Sequence, residues 1–418
     1  MSNQKKLVIG LFGFGVVGEG LYKVLQQSKS LEATIKRVCI KDPQKPRQAP
    51  AELFTTNKDE LLLDDEINVI VEVIDDSKAA FEIVSTAVKN GKAVVSASKK
   101  MLAENLPAIL ALQKEYQTPF LYEAAACASI PVIRNLEEYY DNDLLHAVRA
   151  IVNGSTNFIL TKMFEEQLDF ADALSLAQQL GFAESNPVLD VEGYDAVNKW
   201  CLHLIHAFGI VAHPTSILFS GIQNIQLTDA LVAKEKQYEI KLVAQAIKLK
   251  NGNIAAFVLP QFVRKDDHLA FVKNEYNGVE IESGFADKQF FYGKGAGSFP
   301  TASAILSDIS ALRYGYRYEY KKLYYQQPDQ LSSNVYLRVY LSYQAEQFVI
   351  KNDFELIEEL HVNNDRKYLV GIISTEALLN NFWWKENGNS LILLPDAVVE
   401  DIEIVNKAKK PHELSVVE

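Results

Sequence analysis

The stretch KKLVIGLFGFGVVG, Lys5 to Gly18, decides the fold. Lys5 to Leu11 is an apolar run behind a short polar tail, the pattern of a buried parallel strand. It runs into Gly13-Phe14-Gly15-Val16-Val17-Gly18, and the apolar spacing then becomes that of an amphipathic helix through Leu21, Val24 and Leu25. Strand, GxGxxG, helix is the context that gives this glycine pattern its meaning as a dinucleotide site. Gly13 permits the tight turn, Gly15 lets the backbone approach a pyrophosphate, and Gly18 lets helix pack closely on strand. The helix N-terminus adds N–H groups and a positive dipole end. In another α/β fold the same glycines would be only a turn; their place between strand and helix favours the dinucleotide reading.

Working outward, Thr34–Ile40, Ile67–Val73 and Ala93–Ala97 read as further buried strands, with a helix over Ala79–Lys89 ended by Asn90-Gly91. This alternation predicts an α/β fold with a doubly wound, Rossmann-type parallel sheet. Lys41 and Asp42 close the second strand, where an acid would hold a ribose 2′-hydroxyl and a base a 2′-phosphate. Lys41, Lys45 and Arg47 favour NADP, with NAD left open. Lys99 lies just past the carboxyl end of a strand, where ligands bind in such sheets. It is a catalytic candidate, set against the plainer reading as one of a surface pair. Phe120–Ala125 reads as a short strand with Glu123 inside it, and a carboxylate there wants an N–H cluster, a lysine or a cation.

The composition changes after about Arg149. Ile151 to Asn157 is a polar, small-residue turn before a helix expected near Phe158; it can offer N–H groups to a carboxylate, or be a cap built on Ser155 and Thr156. Helices are expected over Phe170–Leu180 and Ala196–Phe208. Overlapping the second is GFAESNPVLDVEGYDAVNK, Gly181 to Lys199, which carries Glu184, Asp190, Asp195 and Lys199. Asp195 and Lys199 are four apart and share a helix face. A surface ion pair needs one acid and one base; a pocket that holds a zwitterion and moves a proton needs several. A second glycine-rich loop, Tyr292–Pro300, precedes a helix over Thr301–Leu312. Further on, Val335–Leu341 and Tyr368–Ile373 read as strands with a helix at Phe354–Leu360 between them.

At 418 residues the chain is long enough for two or three domains. A net charge of −12 argues against nucleic-acid binding, which wants a basic face. The apolar stretches are too short to span a bilayer, and Met1–Lys6 shows no signal-peptide pattern. Cys39, Cys127 and Cys201 are odd in number and widely spaced, which predicts a reducing cytoplasm with neither disulfide framework nor zinc site.

Taken in order, several motifs make the chain resemble the homoserine dehydrogenase family from about Leu7 to Tyr314. They are the Gly13–Gly18 loop, Ser96-Ala97-Ser98-Lys99, Tyr122-Glu123-Ala124 up to Ile130-Pro131, Asn153–Asn157, Gly181–Lys199, and Gly293–Gly297 with Pro300-Thr301-Ala302. The resemblance implies NAD(P)H-dependent, reversible reduction of L-aspartate 4-semialdehyde to L-homoserine, in threonine and methionine biosynthesis. It implies that Lys99 and Lys199 flank the reacting centre, with Lys199 favoured for contact with the reacting oxygen. Glu184, Asp190, Asp195, Gly154 and Thr156 would bind the amino acid. The cofactor would touch Gly13, Phe14, Gly15, Val16, Val17, Gly18, Lys41, Ser98, Lys99 and Gly297. Glu123 with the carbonyls of Ala126, Ala128 and Ile130 would hold a monovalent cation, sodium by resemblance. A cytoplasmic homodimer, built through the sheet of the substrate domain, would follow.

The expected domains are 1–135 with 293–325 for the nucleotide, 136–292 for substrate and dimerisation (α+β), and a small α+β domain over 330–418. The last resembles a degenerate ACT domain, because the acidic-x-Pro-Gly-Val turn of such domains is replaced by Ser342-Tyr343-Gln344-Ala345; ordinary threonine feedback is not expected. No fused aspartate kinase is expected either, since the chain begins at the nucleotide strand. The sequence departs from the family pattern at Ser98, at Ala126-Cys127-Ala128-Ser129 and at Asn186. The alternatives are a related dehydrogenase of another amino-acid semialdehyde, opened by Asn186, and a non-catalytic NADP-binding sensor, which retention of both lysines disfavours.

Overall fold

The computed structural model describes residues 6–141, 144–344, 352–362 and 367–400. They form two units. The first gathers Met1–Asn142, Asn198–Pro214 and Gly293–Pro328. Its sheet consists of β1 (Leu7–Phe12), β2 (Ala33–Cys39), β3 (Phe54–Thr55), β4 (Val69–Glu72), β5 (Ala93–Ser96) and β6 (Phe120–Leu121), in the order β3-β2-β1-β4-β5-β6. Every pair is parallel. This is the dinucleotide-binding order with its switch point between β1 and β4. Ile9, Leu11, Val69, Ile70, Val71, Val94 and Val95 fill the core, as strands covered on both faces require. The helices Val16–Gln27 and Ser298–Leu312 pack together so closely that a Cβ on Gly20 would lie 2.4 Å from Ser298 Oγ.

The second unit gathers Asp143–Val197, Thr215–Tyr292 and Asp329–Glu418. Its mixed sheet consists of β7 (Leu145–Ile151), β8 (Leu218–Phe219), β9 (Tyr238–Lys248), β10 (Ile254–Arg264), β11 (Tyr276–Ser283), β12 (Asp287–Lys294), β13 (Tyr336–Ser342), β14 (Phe354–Val362), β15 (Lys367–Ser374) and β16 (Ser390–Val399). The order is β12-β11-β7-β9-β10-β16-β13-β15-β14, with β8 beside β10. Within β13–β16 each pair is antiparallel, and the fourth strand lies beside the first.

Four local expectations are corrected. Phe354–Leu360 is strand β14, not a helix. Two register irregularities against β15, at Phe354/Leu356 and Ile357/Glu359, break the period-two pattern, so Phe354, Ile357 and Leu360 take on helix-like spacing. Strand β6 ends at Leu121, because β5 offers it only Val94 and Val95; Glu123 opens the short helix Glu123–Cys127. The helix expected near Phe158 begins at Gly154, capped by Asn153 rather than by Ser155 or Thr156. Tyr292–Lys294 belongs to β12 rather than to a loop. Ala345, at the end of the altered ACT-type turn, and residues 401–418 lie outside the described residues. Among the described residues no helix is long and apolar enough to cross a membrane.

Candidate active site

The three motif glycines behave differently, each for a visible steric reason. Gly13 has φ +97°, and a Cβ there would stand 2.8 Å from the Val73 carbonyl oxygen. A Cβ on Gly18 would stand 2.3 Å from the Gly13 carbonyl oxygen, so helix and turn touch only because it is absent. A Cβ on Gly15 would meet nothing within 4 Å among the described residues. Its open backbone at a helix N-terminus is the cradle a pyrophosphate needs. Phe14 turns inward against Phe54, with ring centroids 5.0 Å apart, and Val16 is exposed. Gly297, with φ +119°, caps the Ser298–Leu312 helix, and Ser298 Oγ donates to the Val16 carbonyl at 2.8 Å. Beyond β2 a cavity of about 500 Å³ is lined by Lys45, Arg47, Phe54 and Thr55 among others. Lys41 is exposed and does not line it. Asp42 Oδ1 accepts from its own turn at Gln44 N, 2.9 Å. Arg47 lies over the Phe54 ring at 5.5 Å, and its buried Nε has no hydrogen-bond partner among the described residues. The open Gly15 at this helix start suits the pyrophosphate of a nicotinamide dinucleotide.

Lys99 is half-buried and opens the helix Lys99–Tyr116 directly after β5. Ser98 precedes it and turns its hydroxyl inward, to Glu72 Oε1 at 2.9 Å and the Ile74 carbonyl at 2.8 Å.

In the second unit the helix Gly154–Glu165 starts at Asn153, whose Oδ1 accepts from Thr156 N at 2.8 Å. The same side chain donates Nδ2–H to Asp190 Oδ1 at 2.7 Å and to Asp195 Oδ2 at 2.8 Å. Ser155 Oγ donates to the Phe182 carbonyl at 2.6 Å. Gly154 is required: a Cβ would sit 2.5 Å from the Glu275 carbonyl oxygen. The structure therefore brings Thr156, Asp190 and Asp195 together, through an Asn153 that sequence reasoning read only as part of a turn. An Asn just before Gly-Ser-Thr is a preferred cap type, which is the signal that could have found it. Glu184 is exposed, its carbonyl accepting from Gln178 Nε2 at 2.9 Å, and it stands outside that network among the described residues.

Asp195 and Lys199 are one turn apart on the helix Tyr194–Phe208, and both are buried. The Lys199 carbonyl accepts from His203 Nδ1 at 2.8 Å. A carbonyl can only accept, so His203 carries its proton on Nδ1. Burial pushes this imidazole down to about 4, leaving it neutral near pH 7.

Glu123 finds the first of the partners it was expected to need. Its Oε1 accepts from Val132 N at 2.7 Å and Ile133 N at 2.8 Å, and its Oε2 from Arg134 N at 3.0 Å. Burial nevertheless holds its carboxyl above the usual range. Three main-chain donors thus take up most of the carboxylate's acceptor positions, two on Oε1 and one on Oε2. The chain turns back at Ala128, with φ 42°.

With this geometry in place the comparisons decide the family. Residues 131–310 match homoserine dehydrogenase, and residues 13–123 match the homoserine dehydrogenase NAD-binding domain. The chain is 36% identical to homoserine dehydrogenase of Lactococcus lactis over 72% of its own length and 73% of the relative's. The chain belongs to the homoserine dehydrogenase family. A relative from Helicobacter pylori, also a homoserine dehydrogenase, is 31% identical over 94% of this chain and 99% of its own. The crystal structure of a homoserine dehydrogenase from Thiobacillus denitrificans matches with TM-score 0.80 and 28% identity, covering 94% of this chain and 98% of that one. As a homoserine dehydrogenase the chain is an NAD(P)-dependent oxidoreductase acting on a CH–OH group, interconverting L-homoserine and L-aspartate 4-semialdehyde. The alternatives of another semialdehyde and of a non-catalytic sensor are not favoured.

Proposed function

We propose that Lys199 exchanges the proton at the reacting oxygen, that Lys99 supports it electrostatically, and that Asp190 and Asp195 orient the substrate through Asn153. The Asn153 amide bonded to both aspartates carries this reading, because it places two acids at one helix start. The nicotinamide, when bound, supplies or accepts the hydride. The alkoxide developing at the substrate oxygen calls for a nearby donor, and a lysine ammonium one turn from Asp195 suits that task. N–H groups at the start of the Gly154–Glu165 helix suit the substrate carboxylate, and Glu184 its ammonium. Lys199→Ala tests the core of this: turnover should fall by roughly 10³-fold or more with NADPH affinity nearly intact, effects of general acid–base and electrostatic kind together. Near-normal turnover removes Lys199 from the mechanism.

NADP is the proposed cofactor, with Lys45 and Arg47 rather than Lys41 beside the 2′-phosphate, because those two line the cavity after β2. A monovalent cation is proposed at Glu123 and the carbonyls of Ala126, Ala128 and Ile130; equal thermal stability in sodium and in a bulky organic cation would count against it. The strand order of β13–β16 supports an ACT-like C-terminal layer, and millimolar threonine is expected to leave activity unchanged. A homodimer through the sheet of the second unit is proposed, supported by exposed Phe271 and Phe285 on that unit, and light scattering would test it. A cytoplasmic role in threonine and methionine biosynthesis completes the reading, and complementation of a homoserine auxotroph checks it.

A further inference from the structure

We infer that Glu72 is a positioning residue for Lys99, an inference that rests on the proposed role of Lys99. Glu72 ends β4 and is 0% exposed, in register with Phe12 of β1 and Ser96 of β5. It therefore sits at the carboxyl ends of three adjacent central strands, where such sheets present their ligands. Its Oε1 accepts from Ile74 N at 2.7 Å and faces Ser98 Oγ at 2.9 Å; its Oε2 accepts from Ser96 Oγ at 2.6 Å. Ser96 Oγ in turn accepts from Ser98 N at 3.1 Å. One carboxyl group thus ties down both ends of the Ser96–Ser98 turn, and the next residue is Lys99.

Ser98 Oγ donates its one hydroxyl proton between two acceptors, Glu72 Oε1 at 2.9 Å and the Ile74 carbonyl at 2.8 Å. Burial raises the Glu72 carboxyl, while the hydrogen bonds from Ser96, Ile74 and Ser98 act to lower it. An acid this deep costs free energy that an apolar side chain would not. The bonds it makes in return go to Ile74 just after β4, to Ser96 at the end of β5 and to Ser98 before Lys99.

Steady-state kinetics of homoserine oxidation, NADPH binding and thermal melting on Glu72→Gln, Glu72→Leu, Ser98→Ala, the Leu/Ala double variant and Lys99→Ala test this. Glu72→Leu and Ser98→Ala should each lower kcat by about tenfold or more, as small displacements of a reacting group do. The double variant should be no worse than the poorer single one, since both cut the same link. Glu72→Gln, which keeps an acceptor oxygen, should recover most of kcat, and NADPH affinity should stay within about twofold of the parent, below the cost of one lost hydrogen bond. A lowered melting temperature with unchanged kcat, or additive losses, overturns the inference. If Glu72→Leu does not fold, Ser98→Ala with normal kcat still overturns it. Normal turnover of Lys99→Ala overturns the underlying reading of Lys99; a dead Lys99→Ala beside normal Glu72 and Ser98 variants overturns this inference alone.

Discussion

Asn153 donates its amide to Asp195 at 2.8 Å while the other end of the same amide caps the helix Gly154–Glu165. One planar group thus fixes a helix start and an acid 42 residues further along the chain. Hydrogen bonds to charged groups are worth roughly 1.5–3 kcal/mol each.

Asn153→Ala should therefore lower kcat/KM for homoserine by roughly 10- to 100-fold, by releasing Asp190 and Asp195 together. NADPH binding, measured by fluorescence titration, should be unchanged. Wild-type kcat/KM in a folded variant would show that the two aspartates do not need their bridge.

The cavity beyond β2 offers two basic side chains, and Asp42 is occupied by its own turn. Lys45→Ala with Arg47→Ala should weaken NADPH binding about tenfold or more, the loss of charge-assisted bonds to a phosphate, and leave NADH binding little altered. Equal losses for the two cofactors would mean that this cavity does not read the 2′-phosphate.

His203 imposes an acid limit on the fold. Burial lowers it from 6.5 to about 4, so between these values the unfolded chain takes up a proton that the folded chain refuses. Its contribution to stability is complete above pH 6.5 and is lost as pH falls toward 4, by an amount on the order of 3 kcal/mol. Urea unfolding of His203→Gln should show a shallower loss of stability between pH 7 and 5 than the parent chain. Parallel losses in the two proteins would remove His203 as a cause.

Much of the first unit was legible because its signals are local. The strand, glycine loop and helix at Leu7–Gln27 follow from an apolar run and three glycines, and Gly13 and Gly18 show the tight turn and the close packing read for them. Asp195 and Lys199 share a helix because four residues make about one turn. Strand β14 misled because its irregular pairing with β15 removes the alternation that marks a strand. Glu72 was passed over inside INVIVEV, although an acid in an apolar run carries the same signal that drew attention to Glu123.

The sequence by itself determined what the backbone and near neighbours control: the dinucleotide loop, the alternation of strands and helices, and the residue types available for moving a proton. Only the tertiary structure decided which polar groups converge. Asn153 reaches Asp190 and Asp195, Glu72 gathers Ser96 and Ser98, and Glu123 takes the main-chain N–H groups of Val132, Ile133 and Arg134. The reason is physical. A buried polar group must find partners, but which partners lie within 3 Å depends on strand register and packing between distant segments, and local periodicity carries no record of either.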